Sequence, residues 1–450
     1  MTRIFFVILI SWFCIIACKE DQKAGVPTRY ISKVFTSMTE AMVNDVTNPP
    51  LAARFFSYAA IAGHLIVEKH DSTILPIQGR LNGLEPLNWP EVERSYDYQV
   101  AAVLAMTRVA QKLQPSGTKL VDFEKAITDS LINSGITEDV LEESARYADA
   151  VVKQVLAYAK SDGYNRISNY ARYVPLEEEG KWYPTPPAFF AAVEPHFNRV
   201  RPFLLDSASQ FSPKPPVEFS TDTTSAFFQM MLLNYRDTIT ETKKEIAGFW
   251  DCNPFVVQDK GHLMLGVKRI SPGAHWMGIS GLACDQAGKS FNEAIHIQTM
   301  VAIGLMDAFI SCWDEKFRSN RVRPETAIRK YIDTKWKPML QTPPFPEYVS
   351  GHSVVSTTSS EILEHYFGDG FAFTDTVEVS YGLKARSFKS FDQAAEEAAI
   401  SRFYGGIHFM DAIVEGQAQG RFVGQFILQR LKEPAVKKKA EDPIKKFAAH

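Results

Sequence analysis

The sequence predicts an all-α protein of packed helical bundles interrupted by one long irregular loop rich in proline and aromatic residues. Apolar residues recur at helical spacing along most of its 450 residues, and strand-like alternation is confined to Phe371–Ser380. Prolines and aromatics crowd the stretch from about 164 to 220.

The clearest helix lies at 137–160, where Val140, Leu141, Ala145, Ala148, Val151, Val152, Val155, Leu156 and Ala159 form one stripe. Thr137-Glu138-Asp139 stands at its start, as a capped helix requires. The same spacing predicts helices over 29–48, 51–69, 90–113, 120–134, 223–249, 286–316, 352–367, 390–403 and 411–432. Between them, Pro175, Pro184, Pro186, Pro187, Pro195, Pro202, Pro213, Pro215 and Pro216 break any helix. A loop that long and aromatic is expected to wrap the surface or border a site entrance. The chain therefore divides into an N-terminal helical region at 27–220, the loop included, and a C-terminal helical domain at 221–432. The Lys437–Lys446 tail reads as a frayed end.

A hydrophobic content of 45% supports a large core, and a net charge of −3 with pI near 6.4 argues against nonspecific nucleic-acid binding. Residues 1–18 read as a targeting segment, with Arg3 ahead of an apolar run from Ile4 to Ala17. That run is too short to span a bilayer, which takes about 20 apolar residues. Its ending, Ile15-Ile16-Ala17-Cys18, resembles a bacterial lipobox. The resemblance implies cleavage before Cys18 and an exported lipoprotein anchored to a bacterial membrane, periplasmic or at the cell surface. Lys19-Glu20-Asp21 resembles the acidic export signal of some surface lipoproteins. Past Cys14 and Cys18 the chain keeps Cys252, Cys284 and Cys312, so at most one disulfide forms among them.

Chemistry concentrates near the C-terminus, in Lys316-x6-Arg323-Pro324, Ser350-Gly351-His352 and Ser401-Arg402-x5-His408. These segments supply three cations, a hydroxyl, a glycine amide and two imidazoles. A tetrahedral or trigonal-bipyramidal oxyanion such as phosphate or vanadate needs that set, because its oxygens must meet charge-assisted donors once out of water. Ser350, Gly351 and His352 are expected at a helix N-terminus, which favours an anion, although Ser350 is equally suited to capping that helix. Gly405-Gly406 permit a turn that returns His408 to Arg402. Lys316 and Arg323 are expected to straddle the end of a long helix stopped by Pro324. One histidine must bond the central atom and the other exchange a proton, and the residues alone do not say which.

In their order, the three segments resemble the shared signature of the acid phosphatases, type 2 phosphatidic acid phosphatases and vanadium-dependent haloperoxidases. The run Phe345-Pro346-Glu347-Tyr348-Val349-Ser350-Gly351-His352, with Trp313 three residues before Lys316, is similar to the chloroperoxidase and bacterial iodoperoxidase branches. Gly180–Pro187 and Tyr404–His408 look like those of the iodoperoxidases. The resemblance implies a vanadate cofactor bonded through His408, with Lys316, Arg323, Ser350, Gly351 and Arg402 holding its equatorial oxygens. It makes His352 the acid–base partner of the apical oxygen, where hydrogen peroxide enters, and Lys316 the polarising cation. Trp313 and Phe345 would wall the side used by the halide, iodide by branch resemblance.

Two positions depart from the family. Val349 stands where proline is usual, and Ala412 stands where phosphatases carry aspartate four residues after the last histidine. Asp411 is one residue early, about 100° away on a helix, which disfavours a phosphohistidine mechanism relative to vanadate. Exported acid phosphatase and oxyanion-binding surface lipoprotein are the alternative readings. The chain has no P-loop, dinucleotide fingerprint, His-Glu-x-x-His or Cys-x-x-Cys. Asp251 is a candidate to hold Arg402, with a turn position as its equal alternative. His262 and His275 fall in the loop-rich stretch after Trp250-Asp251-Cys252-Asn253-Pro254, from which either could approach the site, and His64, His70, His196, His296, His365 and His450 read as surface or satisfied core groups.

Overall fold

The computed structural model describes residues 26–167, 169–259 and 264–432. The expected targeting segment with Cys18, the Lys437–Lys446 tail, His262 and His450 lie outside these residues.

The N-terminal helices form much as their periodicity predicts. α1 (Arg29–Asn44) leads into α2 (Pro49–His70), whose cap Asn48 accepts from the Leu51 amide while Pro49 and Pro50 fill a first turn that needs no N–H. α3 (Tyr98–Leu113), α4 (Lys119–Asn133) and α5 (Glu138–Lys160) follow. The α5 stripe packs on α2 and α3. Residues 90–97 are not helical as expected, because the Asp97 carboxylate accepts from Gln99 and Val100 and starts α3 there. α6 (Tyr164–Ile167) is a single turn.

Three C-terminal expectations are corrected. The stretch 223–249 is two helices, α7 (Ala226–Arg236) and α8 (Glu241–Phe249), since Thr240 caps the second. The loop-rich stretch after Trp250 ends at Ser271, and an unexpected helix, α9 (Pro272–Gln286), precedes α10 (Phe291–Ser319), which a Ser290–Glu293 capping box opens. Pro324 does not stop α10. Asn320 does so in a left-handed conformation at φ 53°, and Pro324 begins α11 (Pro324–Tyr331) with Arg323 as its N-cap residue. α12 (Gly351–Phe367), α13 (Phe391–Tyr404) and α14 (Met410–Arg430) complete the bundle. Strand structure among the described residues is limited to two antiparallel pairs, β1 (Val257–Asp259) with β2 (Met264–Gly266) and β3 (Phe373–Asp375) with β4 (Arg386–Phe388).

α10 is the axis of the molecule, about 44 Å long by its 29 residues. It packs against α2, α9, α12 and α14, and one apolar cluster runs from Val26 to Leu431. α2 and α10 are long and apolar enough to cross a membrane, yet 94% and 100% of their most apolar windows are buried inside the protein. Asp307, the one charge in the α10 apolar run from Met300 to Trp313, is fully buried and accepts from the amides of Phe203, Leu204 and Leu205 at 2.7, 2.8 and 3.1 Å. It thereby pins the long proline-rich loop to the axis.

Candidate active site

Four pieces of chain meet at one end of α10. Trp313 and Lys316 lie one turn apart on that helix and so share a face. The 340–350 loop delivers Phe345 and Glu347, α12 begins at Gly351, α13 carries Arg402 near its C-terminal end, and the turn after it carries His408. Gly406 makes the turn at φ +71°, where a Cβ would stand 3.2 Å from the Pro338 backbone. Gly351, His352, Arg402 and His408 face a narrow cleft whose walls include Phe255, Phe309, Trp313 and Phe345. Lys316, Arg323 and Ser350 are fully buried behind them.

The tautomer of His408 follows from its partners. Its Nδ1 lies 2.8 Å from Glu347 Oε1, which also accepts from the Phe409 amide at 2.9 Å. A carboxylate can only accept, so Nδ1 carries the proton and Nε2 keeps its lone pair. Nε2 lies 3.0 Å from Arg323 Nη1. Burial and the cations Arg323, Lys316 and Arg402 push His408 well below the ordinary imidazole range, so it is neutral. Glu347 is itself clamped by Arg321, whose guanidinium also meets Asp411 at 2.5 and 2.7 Å. Asp411 therefore serves Arg321 and does not orient His408, in keeping with its one-residue offset.

His352 takes the complementary arrangement. Its Nε2 donates to the Trp250 carbonyl at 3.1 Å, which leaves Nδ1 as the nitrogen able to accept a proton. Burial, then Arg402 and His408, lowers its pKa well below the ordinary value.

The cations are held by backbone. Arg323 donates through Nε to Phe345 O and through Nη1 to Ile407 O, both at 2.9 Å, and its buried Nη2 has no partner among the described residues. Arg402 donates to Ser401 Oγ and Ala247 O at 2.9 and 3.1 Å. Asp251 makes no hydrogen bond to Arg402 among the described residues, and its ion-pair partner is Arg269 at 4.0 Å. Lys316 Nζ donates to the carbonyls of Pro346, Glu347 and Val349, so all three ammonium protons are engaged. Holding an oxyanion would require one of those carbonyls to be exchanged. Burial dominates its titration and pushes it down to about 7. Ser350 Oγ accepts from Ser353 N at 3.3 Å and so caps α12, which leaves its hydroxyl proton available.

These groups fit a vanadate-sized anion. Arg323 Nη2 is an orphaned buried donor and His408 Nε2 is a lone pair facing a cation. A Cβ on Gly351 would meet nothing closer than Trp313 Cζ3 at 3.8 Å, so protein packing alone does not demand glycine there. Close approach of an oxyanion to the Gly351 amide gives the glycine a reason.

Trp313 and Phe345 pack with ring centroids 5.0 Å apart, and Lys316 Nζ and Arg323 Cζ each lie 5.1 Å from the Phe345 centroid. The long loop supports this wall from behind, since Val193 O accepts from Trp313 Nε1 at 3.1 Å and Val193 N donates to Pro344 O at 3.0 Å. Sequence reasoning missed Glu347, Arg321 and the Trp250 carbonyl. Glu347, a lone carboxylate within the run Pro343–Val349, was the available signal. It also expected a loop at His275, which is instead fully buried in α9, while Cys252, Cys284 and Cys312 are all unpaired among the described residues.

The VCPO second helical-bundle domain matches residues 296–436, the span containing Lys316, Arg323, Ser350, Gly351, His352, Arg402 and His408. A crystal structure of a bacterial vanadium-dependent iodoperoxidase is similar over 90% of this chain and 98% of that one, at 39% identity and a TM-score of 0.83. Holo and apo structures of bacterial vanadium-dependent chloroperoxidases share the fold at 16% identity, with TM-scores of 0.63 and 0.62. They cover 91% and 86% of this chain and 95% of each of theirs. No curated protein matches the chain by sequence. Identity of 39% over nearly the full length of both chains, with the second-bundle match over residues 296–436, means that this chain belongs to the vanadium-dependent haloperoxidase family.

Proposed function

We propose that the protein is a vanadate-dependent haloperoxidase that oxidises iodide with hydrogen peroxide to a hypohalous species. The observation that carries this reading is His408, fixed by Glu347 at Nδ1 so that its lone pair is on Nε2, which Arg323 Nη1 meets at 3.0 Å. When bound, vanadate supplies a Lewis-acid centre that activates hydrogen peroxide for two-electron oxidation of a halide. His408 Nε2 would bond it, and Arg323, Arg402, Ser350 and the Gly351 amide would meet its oxygens, with Lys316 joining after exchange of a carbonyl. His352 is held neutral by burial and by Arg402, so its Nδ1 would be able to accept the proton of hydrogen peroxide and give it back. The apolar walls at Trp313, Phe345 and Phe309 favour iodide, the most polarisable and least strongly hydrated of the common halides.

The test is a paired assay on protein reconstituted with orthovanadate, following peroxide-dependent triiodide formation and bromination, with phosphomonoester hydrolysis measured on the vanadium-free form. Vanadate-dependent iodide oxidation abolished by His408→Ala supports the proposal. Phosphatase turnover alone, inhibited by vanadate, would replace it with the acid-phosphatase reading, and silence in both with simple oxyanion binding. The apolar run ending at Cys18 supports a lipid anchor on an exported enzyme. Metabolic labelling with a palmitate analogue in a bacterial host checks this, and label retained in Cys18→Ala would remove the anchor from the account.

A further inference from the structure

Beside the oxyanion pocket lies a second cluster that the proposed chemistry does not use. Cys252 follows α8, His275 stands in the first turn of α9, and Glu378 lies between β3 and β4. Their side chains meet in the interior, at 1%, 0% and 2% exposure. Cys252 Sγ is 3.4 Å from His275 Nδ1 and 3.3 Å from Glu378 Oε1, and Nδ1 is 3.4 Å from Oε1. We propose that Cys252, His275 and Glu378 bind a zinc ion, distinct from vanadate, that holds the Trp250–Cys252 segment against α9 and the β3–β4 connection.

The triangle has the dimensions of a zinc face. Tetrahedral zinc with bonds of about 2.3 Å to sulfur and about 2.0–2.1 Å to nitrogen and oxygen places ligand atoms about 3.3–3.6 Å apart. Thiolate, imidazole and carboxylate also form a donor set suited to zinc. Behind the imidazole, Asp375 Oδ2 lies 2.7 Å from His275 Nε2. A carboxylate there fixes the tautomer with Nδ1 turned to a metal, as ligating histidines generally require.

Glu378 supplies the independent sign of a missing partner. Its Oε2 is buried and has no hydrogen-bond partner among the described residues. Protons alone can link Cys252, His275 and Oε1, yet they leave Oε2 stranded, and a buried unsatisfied acceptor costs about 1–3 kcal/mol or more. Coordination through Glu378 would satisfy both oxygens, with the carboxylate occupying one vertex beside Cys252 and His275. The positions are scattered over more than 120 residues of sequence, since Cys252 and Glu378 are 126 apart, so no spacing motif announces them.

This ion would be structural, with an effect that reaches the pocket. The Trp250 ring stacks on His275 at 4.7 Å between centroids, and the Trp250 carbonyl is the acceptor for His352 Nε2. Fixing Cys252 and His275 from one centre fixes that carbonyl and the orientation of His352.

The experiment is metal analysis of the full chain, purified without a polyhistidine tag, incubated with zinc and dialysed against a weak chelator. One zinc per chain is expected in the wild type, falling to background in Cys252→Ser and Glu378→Gln. Cobalt(II) substitution of the wild type should give a near-ultraviolet thiolate-to-cobalt band, an arm independent of whether the variants fold. Wild-type protein that keeps no zinc, variants that keep as much as wild type, or a cobalt form lacking the thiolate band would each overturn the proposal. None of these readouts depends on vanadate or turnover, so they stand apart from the fate of the haloperoxidase reading.

Discussion

His408 can bond a central atom only as the tautomer protonated at Nδ1, and Glu347 selects that tautomer. Glu347→Gln keeps the shape but replaces a fixed acceptor with a neutral amide that can flip, and it leaves Arg321 with Asp411 alone. Vanadate affinity should fall about 10–100-fold with the fold intact, by comparison with other carboxylates behind ligating histidines. Titration followed by recovered activity measures it, and unchanged affinity would mean that Glu347 only packs. Lys316 gives a second test. Its folded pKa, about 7, lies below the ordinary 10.5, so between those values the unfolded chain binds a proton that the folded chain lacks. Unfolding then takes up a proton, and the stability contribution rises as pH rises through that window. The stability difference between vanadate-free wild type and Lys316→Met should accordingly shift in favour of wild type from pH 7 to pH 9, and vanadate should flatten the change. A pH-independent difference by urea unfolding would exclude this account. The candidate oxyanion residues were legible because three motifs carry them in order. Glu347 was not, because a carboxylate becomes an orienting group only where the fold places a histidine nitrogen against it.

Helices with one wet face announce themselves, and helices wrapped in protein do not. α5 was readable from its stripe, whereas α9 buries nearly its whole length and has no polar face to set a period. The division of 223–249 was likewise hidden, because the Thr240 cap sits inside a run whose overall composition suits one helix. Asp307 shows the converse: a charge that only interrupts a hydrophobic run in the sequence is, in the fold, the anchor of the longest loop. Asp307→Ala removes the acceptor of three buried amides, each worth about 1–3 kcal/mol when left unsatisfied. The expected result is a loss of at least about 3 kcal/mol in denaturant unfolding and early proteolysis near 203–205, and an unchanged digestion pattern would count against the anchoring role. The α13–α14 turn is constrained in a different way. Gly406→Ala must place a Cβ at positive φ against Pro338, so it should cost about 1–2 kcal/mol and displace His408, lowering vanadate affinity more than it lowers stability.

At the scale of the whole molecule, a mildly acidic chain with net charge −3 concentrates Lys316, Arg321, Arg323 and Arg402 at one buried end of its axial helix. Glu347 and Asp411 compensate Arg321, while Arg323 retains a buried Nη2 without a partner among the described residues. Such a charge arrangement is paid for by the rest of the core and relieved by an anion. Because the anion binds only the folded chain, its stabilisation follows mass action, about 2.7 kcal/mol at a concentration 100-fold above Kd. Orthovanadate should therefore raise Tm by several degrees, and phosphate, which offers the same oxygens but forms no bond to His408, should raise it less. In His408→Ala the phosphate shift should persist while the excess of vanadate over phosphate disappears. Equal shifts for the two anions in the wild type would mean that the pocket recognises only charge and shape, and that His408 adds no bond to the central atom.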